Sequence, residues 1–177
     1  MIEIIKLSIF VLVSIGIIVF SWDSLQRVHN HGFFRFFVFE AILALILFNA
    51  NYWFEDPFSP LQIASWIFLC GAIVMAIHGF YLLRKVGKPQ GDIEHTSVIV
   101  KAGAYKYIRH PLYCSLLLLA LGVFLKQVSI VSGAIFVVAL VFLVITARVE
   151  EHENKERFGP EYSIYSRLTR MFVPFVF

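Results

Sequence analysis

Charge is what this chain has least of: Asp, Glu, Lys and Arg together make up 15% of its 177 residues, against 59% hydrophobic ones. One small water-soluble core cannot bury that much apolar surface, so a soluble globule is excluded and a lipid bilayer has to act as the solvent. Cysteine is nearly absent. Cys70 and Cys114 both lie in apolar runs, where a thiol packs as a small hydrophobe, so neither supports a disulfide framework and the redox compartment stays open. Linkers, low-complexity tracts and internal repeats are missing, which points to one domain over residues 1–177. Metal-ligand spacing is missing as well. The first apolar run has no basic leader (Glu3 precedes it) and no small-residue cleavage site after it, which favours a retained span over a signal peptide.

What is present is a series of apolar runs. Ile4 to Phe20, Phe33 to Ala50 and Leu61 to Leu83 are each long enough to cross a hydrocarbon layer. Leu112 to Leu125 is shorter. Its 14 residues make about 21 Å of helix against a layer of roughly 30 Å, so it has to tilt, thin the bilayer or start below the surface. Lys126-Gln127-Val128-Ser129 reads as a tight hairpin, and Ile130 to Ala147 returns as a last span whose exit is marked by Arg148-Val149-Glu150-Glu151. The expected fold is all-α and polytopic, with about five transmembrane helices: three spans in 1–83, then two spans and a tail in 84–177. The tail mixes charge with Phe158, Tyr162, Ile164, Tyr165, Leu168 and Phe172, as an interfacial or docked helix would.

Orientation follows from the basic residues, six between Arg84 and Arg109 and five more between Arg148 and Arg170. Both segments are expected on the cytoplasmic side, with the amino terminus and the acidic Asn51 to Pro60 turn outside. Pro89-Gln90-Gly91 breaks the third helix, and the chain from Lys85 to His110 is longer than a simple connection needs. In the third span Gly71, Met75 and Gly79, with Ala72 and Ala76, form a small-residue stripe suited to close helix packing. His78 reads as a packed core residue, and Glu40 as an interfacial ion-pair partner of Arg35 or a functional carboxylate. His29, His31, His95 and His152 sit in loops with no nameable partner.

The densest chemistry lies in Gly103-Ala104-Tyr105-Lys106-Tyr107-Ile108-Arg109-His110-Pro111-Leu112-Tyr113, between two apolar runs. Pro111 biases His110 toward extended or turn geometry just before a helix begins. Five spans bring this segment and the tail to one face, so Arg109 and Glu150 can be neighbours despite their separation. Arg148, Glu150, Glu151, Lys155 and Arg157, with ion pairs three and four residues apart, also suit an ordinary solvated helix face.

This segment resembles the signature of the integral-membrane isoprenylcysteine carboxyl methyltransferase and phospholipid methyltransferase superfamily. So do Glu150-Glu151, Phe158-Gly159-Pro160-Glu161-Tyr162, Tyr165 and the closing Pro174. The resemblance spans roughly Gly91 to Pro174 and departs from the pattern at Ser115, where the family usually has glycine. It implies transfer of a methyl group from S-adenosylmethionine, on the cytoplasmic side, to an acceptor reached from the lipid. It further implies cofactor contacts by Gly103, Tyr105, His110, Pro111, Tyr113 and Tyr162, with Glu150 or Glu151 holding the cofactor's amino group or ordering Arg109. Arg109, Glu150 and Glu151 are the residues implied for catalysis.

The implied partners are a lipophilic small molecule or lipid-anchored substrate and membrane lipid, with no nucleic acid; the oligomeric state stays open. A carboxylate acceptor needs orientation only, which Arg109 can supply, whereas a protonated amine needs a glutamate to take its proton. Prenylcysteine, phosphatidylethanolamine, another isoprenoid acid and a small hydrophobic molecule all remain open as acceptors. Two other readings stand beside this one: a nicotinamide-dependent membrane reductase of the sterol type, and a non-catalytic membrane scaffold.

Overall fold

A computed structural model describes residues 1–88 and 96–173. The expected break at Pro89-Gln90-Gly91, His95 and the closing Pro174 lie outside the described residues. Among the described residues seven α-helices follow one another: α1 (Ile2–Phe20), α2 (Trp22–Leu25), α3 (His31–Phe48), α4 (Pro60–Lys85), α5 (Pro111–Phe124), α6 (Ile130–Phe158) and α7 (Pro160–Leu168). Single 3-10 turns occupy Ala50–Tyr52 and Gly103–Lys106. No β-strand occurs among the described residues. The protein is an all-α polytopic membrane protein, in which α1, α3, α4 and α6 are long and apolar enough to cross a bilayer and α5 is the short apolar helix anticipated above.

Backbone polar groups inside hydrocarbon have to be satisfied internally, and helices do this except at their ends. Asn30 caps α3, its side-chain oxygen accepting from the Gly32 amide at 2.8 Å. The expected exit of the last span at Arg148 is not a helix end. With no Gly or Pro between Arg148 and Gly159, α6 continues through Glu150 and Glu151 to Phe158. Gly159, with φ +58°, makes the turn, and Pro160 opens α7 at a position where no amide donor is needed.

The contacts divide the chain into two compact units, Met1–Leu69 with Leu119–Glu150, and Cys70–Leu118 with Glu151–Phe177. In the first, α1 leaves its side chains outside the protein core, as a lipid-facing helix does, and meets α3 where the Ser14 hydroxyl donates to Glu40 Oε2 at 2.6 Å. A polar cluster closes the end of this unit that holds the hairpin. Ser65 Oγ donates to the Gly122 carbonyl at 2.6 Å and Asn49 Nδ2 to the Val123 carbonyl at 2.8 Å, satisfying last-turn acceptors of α5. Lys126 is buried over the Trp66 ring, 3.7 Å from its centroid, and its Nζ donates to Gln62 Oε1 at 2.9 Å. Gln62 in turn donates to the carbonyls of Tyr52 and Lys126.

Removing this ammonium strips a desolvated cation–π contact worth about 2 kcal/mol and leaves the Gln62 oxygen without its donor, partly offset by the relief of burying one charge less. Lys126→Met is therefore expected to destabilise the protein by roughly 2 kcal/mol. Thermal unfolding in detergent checks this, and an unchanged midpoint would show that the cluster contributes nothing.

In the second unit, the small-residue stripe of α4 meets α5. A Cβ added at Gly79 would lie 3.0 Å from Leu112 Cδ2 and 3.4 Å from Pro111 Cβ, so this glycine allows the two helices their approach.

Candidate active site

Three stretches of the second unit converge: the Gly103 to Tyr113 segment, the end of α6 and the tail from α7 onward. Pro111 starts α5, and the residues before it are irregular, as its ring requires. That irregular backbone needs partners. The Arg109 amide donates to the Arg170 carbonyl at 2.7 Å, the Arg170 amide to the Tyr107 carbonyl at 3.0 Å, and the His110 amide to the Met171 carbonyl at 3.2 Å. Ile108 and Arg170 thus form an isolated parallel bridge, and the tail is strapped along the Arg-His pair.

Arg109 is the hub. Its Nε donates to Glu151 Oε1 at 2.6 Å, and its Nη1 donates to the carbonyls of Ser166, at 3.0 Å, and Thr169. These carbonyls belong to the last turn of α7 and the residue beyond it, so the guanidinium caps that helix while pairing with α6. The Nη2 donors make no hydrogen bond to any described residue. His110 Nε2 lies 3.3 Å from the same Glu151 oxygen. The His110 ring stacks on Tyr113, with centroids 5.3 Å apart and planes 16° apart, and Phe172 of the tail packs nearby.

Burial by itself would push the Glu151 carboxyl up. Hydrogen bonds and charge from His110 and Arg109 outweigh it, holding the group below the usual carboxylate range and ionised. Glu151 of the acidic pair thus joins the cluster. Glu150, half-buried one residue earlier, projects about 100° around the helix from it.

Aromatic residues form the support. Tyr165 donates its hydroxyl to the Tyr105 carbonyl at 2.7 Å, and burial pushes its phenol up so that it remains a donor. The Tyr105 side chain packs with Leu82 and Val100 in a small core. Tyr162, on the same face of α7 as Tyr165, is buried edge-on to it with centroids 5.9 Å apart. Exposed Lys101 pairs with Glu161 at 2.7 Å.

Gly103 sits at φ +55°, where a Cβ would come 2.5 Å from His78 Nε2 and 2.7 Å from Leu82 Cδ1. This shows what His78 does. It is exposed rather than packed in a core, and its Nε2 accepts from the Ala104 amide at 3.3 Å, pinning the motif's first turn to α4. A lone histidine on an apolar helix carries no sequence signal for that task.

Residues 61–161 match the phospholipid methyltransferase family. This chain belongs to that family. It is similar to two Arabidopsis thaliana proteins, protein-S-isoprenylcysteine O-methyltransferase A and B. The A protein is 29% identical over 142 residues, covering 77% of this chain and 69% of that protein. The B protein is 28% identical over 144 residues, covering 78% and 70%. The chain is accordingly a membrane methyltransferase, as the two motifs implied, and the reductase and scaffold readings give way. The family match begins in α4 and ends in α7, so it takes in Arg109, His110 and Glu151.

Proposed function

We propose that this methyltransferase takes its methyl group from S-adenosylmethionine and transfers it to the carboxylate of a lipophilic acceptor, such as a prenylated cysteine, at the cytoplasmic boundary of the membrane. The observation that carries this reading is the Arg109–Glu151–His110 cluster, in which three separate segments converge on one ionised carboxylate. The donor fits the residues present, because the stacked His110 and Tyr113 rings offer an electron-rich surface to a sulfonium. When bound, the cofactor supplies an electrophilic methyl group on a sulfonium and leaves as a neutral thioether.

The protein's part is to hold and orient. Because Nε and Nη1 of Arg109 are engaged internally, the guanidinium offers an incoming carboxylate one nitrogen rather than a two-nitrogen fork. Glu151, carrying both Arg109 and His110, keeps the charge of the cluster balanced and fixes the direction of that nitrogen. Gly103, Tyr105, Pro111, Tyr162 and Glu150 are the further residues we assign to cofactor binding. An acceptor carboxylate would need only to be held by Arg109 against the methyl group that the cofactor would supply, and no residue of the chain would have to move a proton. Orientation is then the main contribution asked of the protein. An ammonium acceptor has to lose a proton, and Glu151, held below the usual carboxylate range, is a poor base for it. That asymmetry favours the carboxylate.

The basic residues from Arg84 to Arg109 and from Arg148 to Arg170 support a cytoplasmic address for the site and an external amino terminus. Two measurements test the proposal. Calorimetry on purified protein is expected to show S-adenosylmethionine binding, and binding of a reduced nicotinamide instead would overturn it. A labelled-methyl assay on a total lipid extract is expected to give a base-labile ester releasing methanol, whereas a base-stable methylamine would assign the acceptor to aminophospholipid.

A further inference from the structure

We propose that the second unit carries a seat for one anionic phospholipid on the face of α4, with the headgroup phosphate on Arg84 and Lys85 and an acyl chain laid along the groove below them. The groove has a volume of about 850 Å³ and is lined by Ala76, Ile77, Phe80 and Tyr81 of α4 together with Leu112 of α5.

Its two ends differ in chemistry. The lower lining is apolar and open, with Ile77 at 66% and Phe80 at 44% exposure on a helix that spans the bilayer, so lipid is what such a face meets. The upper end holds two exposed cations in the last turn of the same helix. Among the described residues neither cation meets a carboxylate. Arg84 lies over the Phe80 ring at 5.2 Å, and Lys85 lies over the Tyr81 ring at 5.2 Å and donates to the Tyr81 hydroxyl at 2.7 Å. The aromatic contacts hold both cations at the rim of the groove. The Tyr81 hydroxyl, accepting from Lys85, keeps its own proton to donate to a phosphate oxygen.

Two cations and a hydroxyl above an apolar trough match a phosphate above an acyl chain. Basic sites at the cytoplasmic ends of membrane helices hold anionic headgroups in this manner. The choice of a phospholipid over a free phosphate rests on the trough, which a bare ion would leave unfilled. A zwitterionic lipid would place its own ammonium against two fixed positive charges. The proposal stands on this groove alone and does not rest on the transfer chemistry.

The test uses the full chain in neutral detergent, titrated with dioctanoyl phosphatidylglycerol, dioctanoyl phosphatidylcholine and inorganic phosphate, with binding read by calorimetry. Phosphatidylglycerol is expected to bind at least tenfold more tightly than either of the others. Arg84→Ala with Lys85→Ala is expected to remove that preference, and Arg84→Lys with Lys85→Arg to keep it. Ala76→Phe, which narrows the trough, is expected to weaken phosphatidylglycerol tenfold and leave methyl-donor binding unchanged. Equal affinity for the two lipids, equal affinity for phosphate alone, or full binding in the double alanine variant would each overturn the proposal. So would an Ala76→Phe protein that binds as the parent does.

Discussion

Replacing Arg109 by Ala is expected to lower methyl transfer by roughly 100-fold or more, because the group that orients the acceptor is lost and a misplacement of about 1 Å costs on that order. The loss has two physical parts. Glu151 is left as a mostly buried carboxylate without its 2.6 Å ion-pair partner, and the carbonyls of Ser166 and Thr169 lose the donor that caps α7. Arg109→Lys separates charge from geometry: an ammonium keeps the sign but cannot span a carboxylate and two carbonyls with a planar fork, so it is expected to recover only a small part of the activity. The measurements are kcat/KM together with calorimetric affinity for S-adenosylmethionine, with helical content checked by circular dichroism. Full turnover in the alanine variant would take Arg109 out of the mechanism.

Glu151→Gln carries the second large effect. The amide preserves shape but removes the charge that faces Arg109 and His110, so transfer is expected to fall by about 100-fold or more. This residue also predicts a pH signature. Burial raises its proton affinity, while hydrogen bonds and charge from His110 and then Arg109 lower it further, for a net depression below the ordinary value of about 4.3. A carboxyl depressed in the folded state contributes stability that is fully present above its unfolded pKa and disappears as pH falls through the folded one. The parent protein is therefore expected to be more stable than Glu151→Gln at neutral pH, with the gap closing below about pH 4. Unfolding midpoints measured from pH 3 to 7 check this. A gap that persists unchanged at pH 3 would mean that the ion pair is not its source.

The helices were legible in the sequence because hydropathy and charge act along a single segment. Four long apolar runs became four long helices, and the 14-residue run became α5, begun by Pro111 as expected. Topology led to the expectation of Arg109 beside Glu150, and the hydrogen bond observed runs to Glu151, one residue further on. What stayed hidden are pairings between distant irregular segments, which leave no periodicity. The strap of Arg170 and Met171 along Arg109 and His110 is one case. His78 is another, since an isolated histidine in an apolar helix looks the same whether it packs against neighbours or receives a loop amide from 26 residues away. Lys126 read as part of a turn, and its seat over Trp66 depends on a ring 60 positions back in the chain.

The strap along the Arg-His pair has a consequence for biosynthesis. Arg109 emerges from the ribosome early, yet the backbone that supports it and the carbonyls that engage its guanidinium come from residues 166–171, after two further apolar helices have been inserted. The site is therefore assembled last, once translation of the tail is complete. A nascent chain halted at the end of α6 would already hold Arg109, His110 and Glu151, but not the backbone that sets their geometry.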